Sequence, residues 1–115
     1  MMVLKKTVAM AALAFSGFAF AHGDMGKTYP ADGAMMMEPT EHVELHFEMP
    51  MALLKLRVID SSGKPVAIDF TRSKEMKEHF KVMMPTLAPD NYKVEWKAMG
   101  EDGHSMNGSF GFMQH

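Results

Sequence analysis

Two of the six histidines in this sequence sit where their neighbours give them metal chemistry, and no cysteine competes with them for an ion. His104 ends the stretch Glu101-Asp102-Gly103-His104. Asp-Gly favours a tight hairpin turn, and an Asp and a His two apart in extended chain share a face, so one ion can reach both. His22 follows Ala19-Phe20-Ala21, a small-residue processing pattern. Cleavage there makes His22 the first residue, and its free α-amine and imidazole then form a bidentate chelate, both neutral once a metal competes with protons. Nitrogen donors with a carboxylate suit Cu(II) and are poor ligands for Mg(II) or Ca(II), while Zn(II) can use the same set. Glu48, at the end of an alternating run, offers a further carboxylate. The fifteen methionines add thioethers, soft donors or adaptable apolar filler.

The leader fits this chemistry. Lys5 and Lys6 precede an apolar run from Val8 to Phe20 that falls short of the ~20 apolar residues a bilayer span needs. Residues 1–21 therefore read as a secretory signal peptide and 22–115 as one exported domain. The 47% apolar content supplies one core. Twelve basic against fourteen acidic residues, evenly spread, leave no basic field for nucleic acid. The absence of cysteine excludes disulfide scaffolds, thiolate zinc sites and cysteine nucleophiles, and no G-x-S-x-G elbow is present.

Positioning the candidate ligands falls to short strands. Val43, Leu45 and Phe47 alternate with polar residues, as do Leu54, Leu56 and Val58, then Tyr92, Val94 and Trp96. Phe110 and Phe112 share a face of the last strand; Val66-Ile68 and Phe80-Val82 add two more, and a first short strand ends at the Tyr29–Gly33 turn. Asp60–Pro65 and Leu87–Asn91 are turns. Lys74–His79 reads as a loop with at most one helical turn. The expectation is an all-β, seven-stranded, Ig-like or cupredoxin-like Greek-key sandwich. His42 and His46 share a polar strand face and are expected to be solvated, and His79 and His115 exposed.

Taken together, the His22 start, Tyr29-Pro30-Ala31-Asp32-Gly33-Ala34, Val43–Glu48, Leu87–Trp96 and Asp102–Phe110 resemble the CopC/PcoC family of periplasmic copper-resistance proteins. The resemblance covers both ends of residues 22–115 and weakens in the middle. It implies a Cu(II) site in which His22 supplies amine and imidazole, His104 a second imidazole, and Asp102 an oxygen ligand or a close electrostatic partner, with Glu48 nearby. Some relatives carry a Met-rich loop that holds Cu(I). Here Asp60–Pro65 and Ser73–His79 lack a dense Met run, so any thioether Cu(I) site is expected instead from Met25, Met49, Met51 and Met106, close in sequence to the Cu(II) ligands.

The function expected is that of a monomeric, non-enzymatic carrier or buffer of Cu(II), exchanging the ion with an inner-membrane copper transporter or another periplasmic copper protein. The alternatives are a small copper-dependent oxidoreductase built on an N-terminal His, disfavoured by the short chain and the acidic ligand beside His104, and a metal-free binding module.

Overall fold

Alternating apolar residues set up the strands of a computed structural model that describes residues 25–115; the expected signal segment and His22 lie outside them. Six strands form among the described residues, and no helix: β1 (Met25–Tyr29), β2 (Ala34–Met36), β3 (His42–Ile59), β4 (Lys77–Met83), β5 (Asp90–Gly100) and β6 (Ser105–Gln114). Hydrogen bonding runs in the order β1-β3-β5-β6-β2, with β4 on β3. Every pairing is antiparallel except β2 with β6.

β3 serves two halves of this sheet. Its first part pairs with β1 and β4, from His42 to Phe47, and its second part pairs with β5, from Met51 to Ile59; past a register shift β4 makes one further pairing, Lys77 with Met51. The changeover falls at Glu48-Met49-Pro50, where proline has no N–H to give a ladder. There the sheet curls: Phe47 of the first half meets Trp96 of the second edge to face, with ring centroids 5.3 Å apart. One core joins both halves, including Val43, Leu45, Phe47, Phe80 and Val82 with Leu53, Leu56, Val58, Val94, Trp96 and Phe110.

The all-β sandwich stands, with the strands divided differently from the seven expected. Two expected runs fuse into β3. The Val66–Ile68 run forms no strand and contributes one bridge, Ile59 to Pro65, while Val66, Ile68 and Phe70 still pack half-buried on the core. β2 is an added strand, tied down where the Gln114 side chain donates to the carbonyls of Met36 and Glu38 at 3.2 and 3.0 Å and accepts from the Thr40 N–H at 3.1 Å. A register shift between Leu53 and Lys55 also changes the parity of burial. Leu53 is buried and Leu54 only half-buried, and the inward set then continues with Leu56 and Val58. The Lys74–His79 segment makes no helical turn, and β4 begins within it.

Gly108 faces Trp96 across the β5–β6 pair, and a Cβ there would lie 2.3 Å from the indole Cζ2. The indole is buried against Phe47 and cannot swing clear. Gly108→Ala should therefore destabilise the fold by about 1–3 kcal/mol, read as a lower midpoint in urea or thermal unfolding; an unchanged midpoint would contradict this packing.

Candidate metal centre

The turn between β5 and β6 is built as the Asp-Gly pair requires. Gly103 takes a φ of 86°, a conformation glycine adopts without steric cost. The Gly100 N–H donates to the His104 carbonyl at 2.9 Å and the Gly103 N–H to the Gly100 carbonyl at 3.0 Å. Asp102 then folds back on His104. One carboxylate oxygen accepts the His104 backbone N–H at 3.0 Å, and the other lies 2.8 Å from His104 Nδ1. The carboxylate raises the imidazole above its ordinary pKa, first by this hydrogen bond and then by its charge, and the imidazole in turn lowers the Asp102 carboxyl. Both side chains are open to solvent, His104 at 88%. With Nδ1 engaged, Nε2 is the donor His104 can offer to a metal, and the carboxylate fixes the ring as metal-bound imidazoles are commonly fixed.

Strand register brings the other expected residues to this end of the sheet unequally. Met51 pairs with Gly100 at the root of the hairpin, and a point one Cβ above Gly100 lies 3.2 Å from the Asp102 carboxylate and 3.6 Å from the Met51 sulfur. Met51 is buried, only 2% exposed, and Met106 packs half-buried against the core. Met49 is exposed at the bend. Met25 pairs through its backbone with Phe47, so β1 begins beside the bend from which β3 runs on to Gly100. Glu48 is exposed, its Cγ within 3.8 Å of a Cβ position on Gly26 of β1. His22 lies outside the described residues.

A second cluster emerges only from the folded sheet. His42, Glu44 and His46 project from one face of β3, and His79 of β4 pairs directly with His46. Glu44 Oε2 lies 2.8 Å from His42 Nε2; its Oε1 lies 3.0 Å from His79 Nε2 and 3.5 Å from His46 Nε2. The His46 and His79 rings stack with centroids 4.1 Å apart, and His42 stacks on Tyr29 at 4.8 Å. Hydrogen bonding to His79 is the largest cause of a lowered Glu44 pKa; desolvation works against it, and His42 and His46 add to the lowering. His79 is exposed as expected, and His42 and His46 are half-buried rather than merely solvated; all three converge on one half-buried carboxylate.

Known proteins share this arrangement of strands. The family model described as "CopC domain" matches residues 25–115. The chain is 29% identical over 97 residues to "Copper transport protein CutJ" of Bacillus subtilis; the match covers 81% of this chain and 18% of that protein, so the chain spans less than a fifth of that relative's length. Its fold is similar to the crystal structure of CopC from Methylosinus trichosporium OB3b, with a TM-score of 0.65 at 21% identity, covering 79% of this chain and 91% of that one. It is equally similar to PcoC, a methionine-rich copper resistance protein from Escherichia coli, with a TM-score of 0.65 at 19% identity, covering 80% and 97%.

The ion pair in the hairpin sets a sign for titration. Asp102→Asn removes the charge and leaves only a weaker, neutral amide acceptor beside His104, so the imidazole pKa should fall toward the ordinary value near 6.5. Following the His104 ring protons by NMR from about pH 5 to pH 8 checks this; an unmoved midpoint would mean the contact does not persist in solution.

Proposed function

The chain belongs to the CopC domain family, and from that premise we propose that it is a periplasmic copper-binding protein that carries or buffers Cu(II) without catalysing a reaction. The observation that carries the reading is the Asp102–His104 pair, preassembled at 2.8 Å on a glycine-cornered turn beside the strand bend where β1 begins. An imidazole oriented through Nδ1 presents Nε2 outward, and a nearby carboxylate offsets part of the dication's charge. His22, as residue one of a processed chain, supplies amine and imidazole to complete a nitrogen-rich, tetragonal set. The register of β1 on β3 supports that assignment, because β1 begins at Met25 opposite Phe47, next to the bend that precedes the Met51–Gly100 pair.

Asp102 acts as the orienting partner of His104, and Glu48 adds acidity at the rim. For Cu(I), Met51 and Met49 follow the bend, Met25 opens β1 and Met106 opens β6, so reduction of the ion would favour passing it to thioethers within this region. The exported chain exchanges copper with an inner-membrane transporter or another periplasmic copper protein, a role in keeping with the transport protein whose smaller part it matches.

Cu(II) affinity of the processed protein, by competition titration with electron paramagnetic resonance, tests the amine. One additional residue ahead of His22 should weaken binding by orders of magnitude, and His104→Ala comparably, while Asp102→Ala should cost about 10–100-fold. An extended chain that binds as tightly as the processed one would remove His22 from the site. For the soft ion, replacing Met25, Met49, Met51 and Met106 together by Leu should abolish stoichiometric Cu(I) binding with little loss of stability, since Leu and Met have similar volumes; unchanged Cu(I) affinity would retire the thioether site.

A further inference from the structure

The outward face of the β1–β3–β4 layer holds donor atoms for a metal in a region the hairpin does not use. Glu44, His46 and His79 each offer one donor atom, and these three atoms lie within 4.8 Å of one another. In a tetrahedral zinc-like shell with bonds near 2.0–2.2 Å, neighbouring donors stand about 3.3–3.5 Å apart. The contacts from Glu44 Oε1, 3.0 Å to His79 and 3.5 Å to His46, already bracket that spacing. Without a metal, one carboxylate here faces three imidazole nitrogens and can neutralise a single charge.

We propose that Glu44, His46 and His79 form a second binding site for a first-row divalent cation of the imidazole-preferring kind, Cu(II) or Zn(II), on this face. His42 positions the carboxylate from behind: its Nε2 holds Oε2 at 2.8 Å while its ring rests on Tyr29. A metal would take Oε1 and the two Nε2 atoms as ligands and leave a coordination position to water, because His46 and His79 are about half exposed, at 44% and 48%. A metal bound at Nε2 takes each ring as the neutral tautomer with its single proton on Nδ1, and the rings turn slightly from their stack to aim both lone pairs at the ion. The scaffold is regular sheet. His46 and His79 are direct cross-strand partners, and Glu44 stands two residues from His46 on the same face, so the donors do not depend on a loop closing.

Lys27 of β1 and Lys81 of β4 are the strand partners of His46 and Glu44. Their ammonium groups oppose a dication, and their long stems let them turn to solvent. They should set the affinity below that of an amine-anchored chelate. The proposal uses no atom of the N-terminus or the hairpin, so it survives or fails independently of the copper reading above.

The test uses the full processed protein carrying His104→Ala. Titration with Zn(II) and, separately, with Cu(II), followed by calorimetry and electron paramagnetic resonance, should still show one bound equivalent, with nitrogen hyperfine structure for Cu(II). Adding His46→Gln and His79→Gln should remove that equivalent, and adding only Glu44→Gln should weaken it at least about tenfold, with unchanged circular dichroism in the metal-free forms. A His104→Ala protein that binds neither ion overturns the site. So does an equivalent that persists at the same affinity when both His46 and His79 are replaced. Should the histidine variants fold poorly, full affinity in Glu44→Gln, which is close in shape to the parent, overturns it equally. Loss of only the hairpin-dependent equivalent in His104→Ala bears on the copper reading alone.

Discussion

Both imidazole–carboxylate groupings among the described residues are arranged around the bend in β3. An 18-residue strand drawn straight would run for about 60 Å, too far for one small core to cover. Breaking its ladder at Glu48-Met49-Pro50 lets the halves recruit different neighbours, β1 and most of β4 on one side of the break and β5 on the other. Apolar faces then close on each other through Phe47 and Trp96. The polar face of the first half turns outward with His42, Glu44 and His46, and the second half starts at Met51, opposite Gly100 at the root of the hairpin. Pro50 is thus less a defect in a strand than the residue that separates two chemical surfaces.

Much of this is legible in the sequence. The period-two runs around Val43, Tyr92 and Phe110 become the buried faces of β3, β5 and β6, and the Asp-Gly turns at Asp32-Gly33 and Asp102-Gly103 take the positive φ glycine allows. The Asp102–His104 contact is also foreseeable, because it is local. What stays hidden is whatever pairing decides. Runs on either side of Pro50 look like two strands because periodicity does not record that one chain continues through a bend. Leu54 looks inward because a bulge cannot be seen in an alternation. The His42-x-Glu44-x-His46 spacing is visible on one face, yet it gains meaning only when β4 sets His79 opposite His46, and the segment carrying His79 has no periodic signal of its own.

The two imidazole groupings differ in what holds them. In the hairpin a single carboxylate serves a single imidazole, both exposed, so water screens the charges and the geometry comes from the turn's backbone hydrogen bonds. Such a pair orients a donor well but supplies too few ligands, and must borrow from elsewhere in the chain. In the strand cluster, donors come from two strands locked in register, and the carboxylate is the centre instead of the partner. Its lowered pKa reflects three nitrogens competing for one charge. A grouping of the first kind is held by one turn and open to solvent; one of the second kind is fixed by the sheet.

Methionine usage follows the same division between packing and exposure. Met51 and Met84 are buried and Met36 and Met106 are half-buried on the core, where an unbranched, polarisable side chain fills uneven space between curled halves. That accounts for them without any ion. Met35, Met37, Met49, Met83 and Met113 are exposed, and packing gives no reason for apolar groups there. They do not converge. Met35 and Met113 pair on the β2–β6 edge, at the end of β6 far from the hairpin, and Met83 lies opposite His42 at the other extremity of the first half. Only Met49 belongs to the bend, two residues from the Met51 sulfur that reaches toward Gly100 beside Asp102. A thioether centre coupled to the hairpin must therefore be drawn from the bend and its immediate neighbours. Met35, Met83 and Met113 stand at register positions away from the hairpin and are not placed to share an ion with His104.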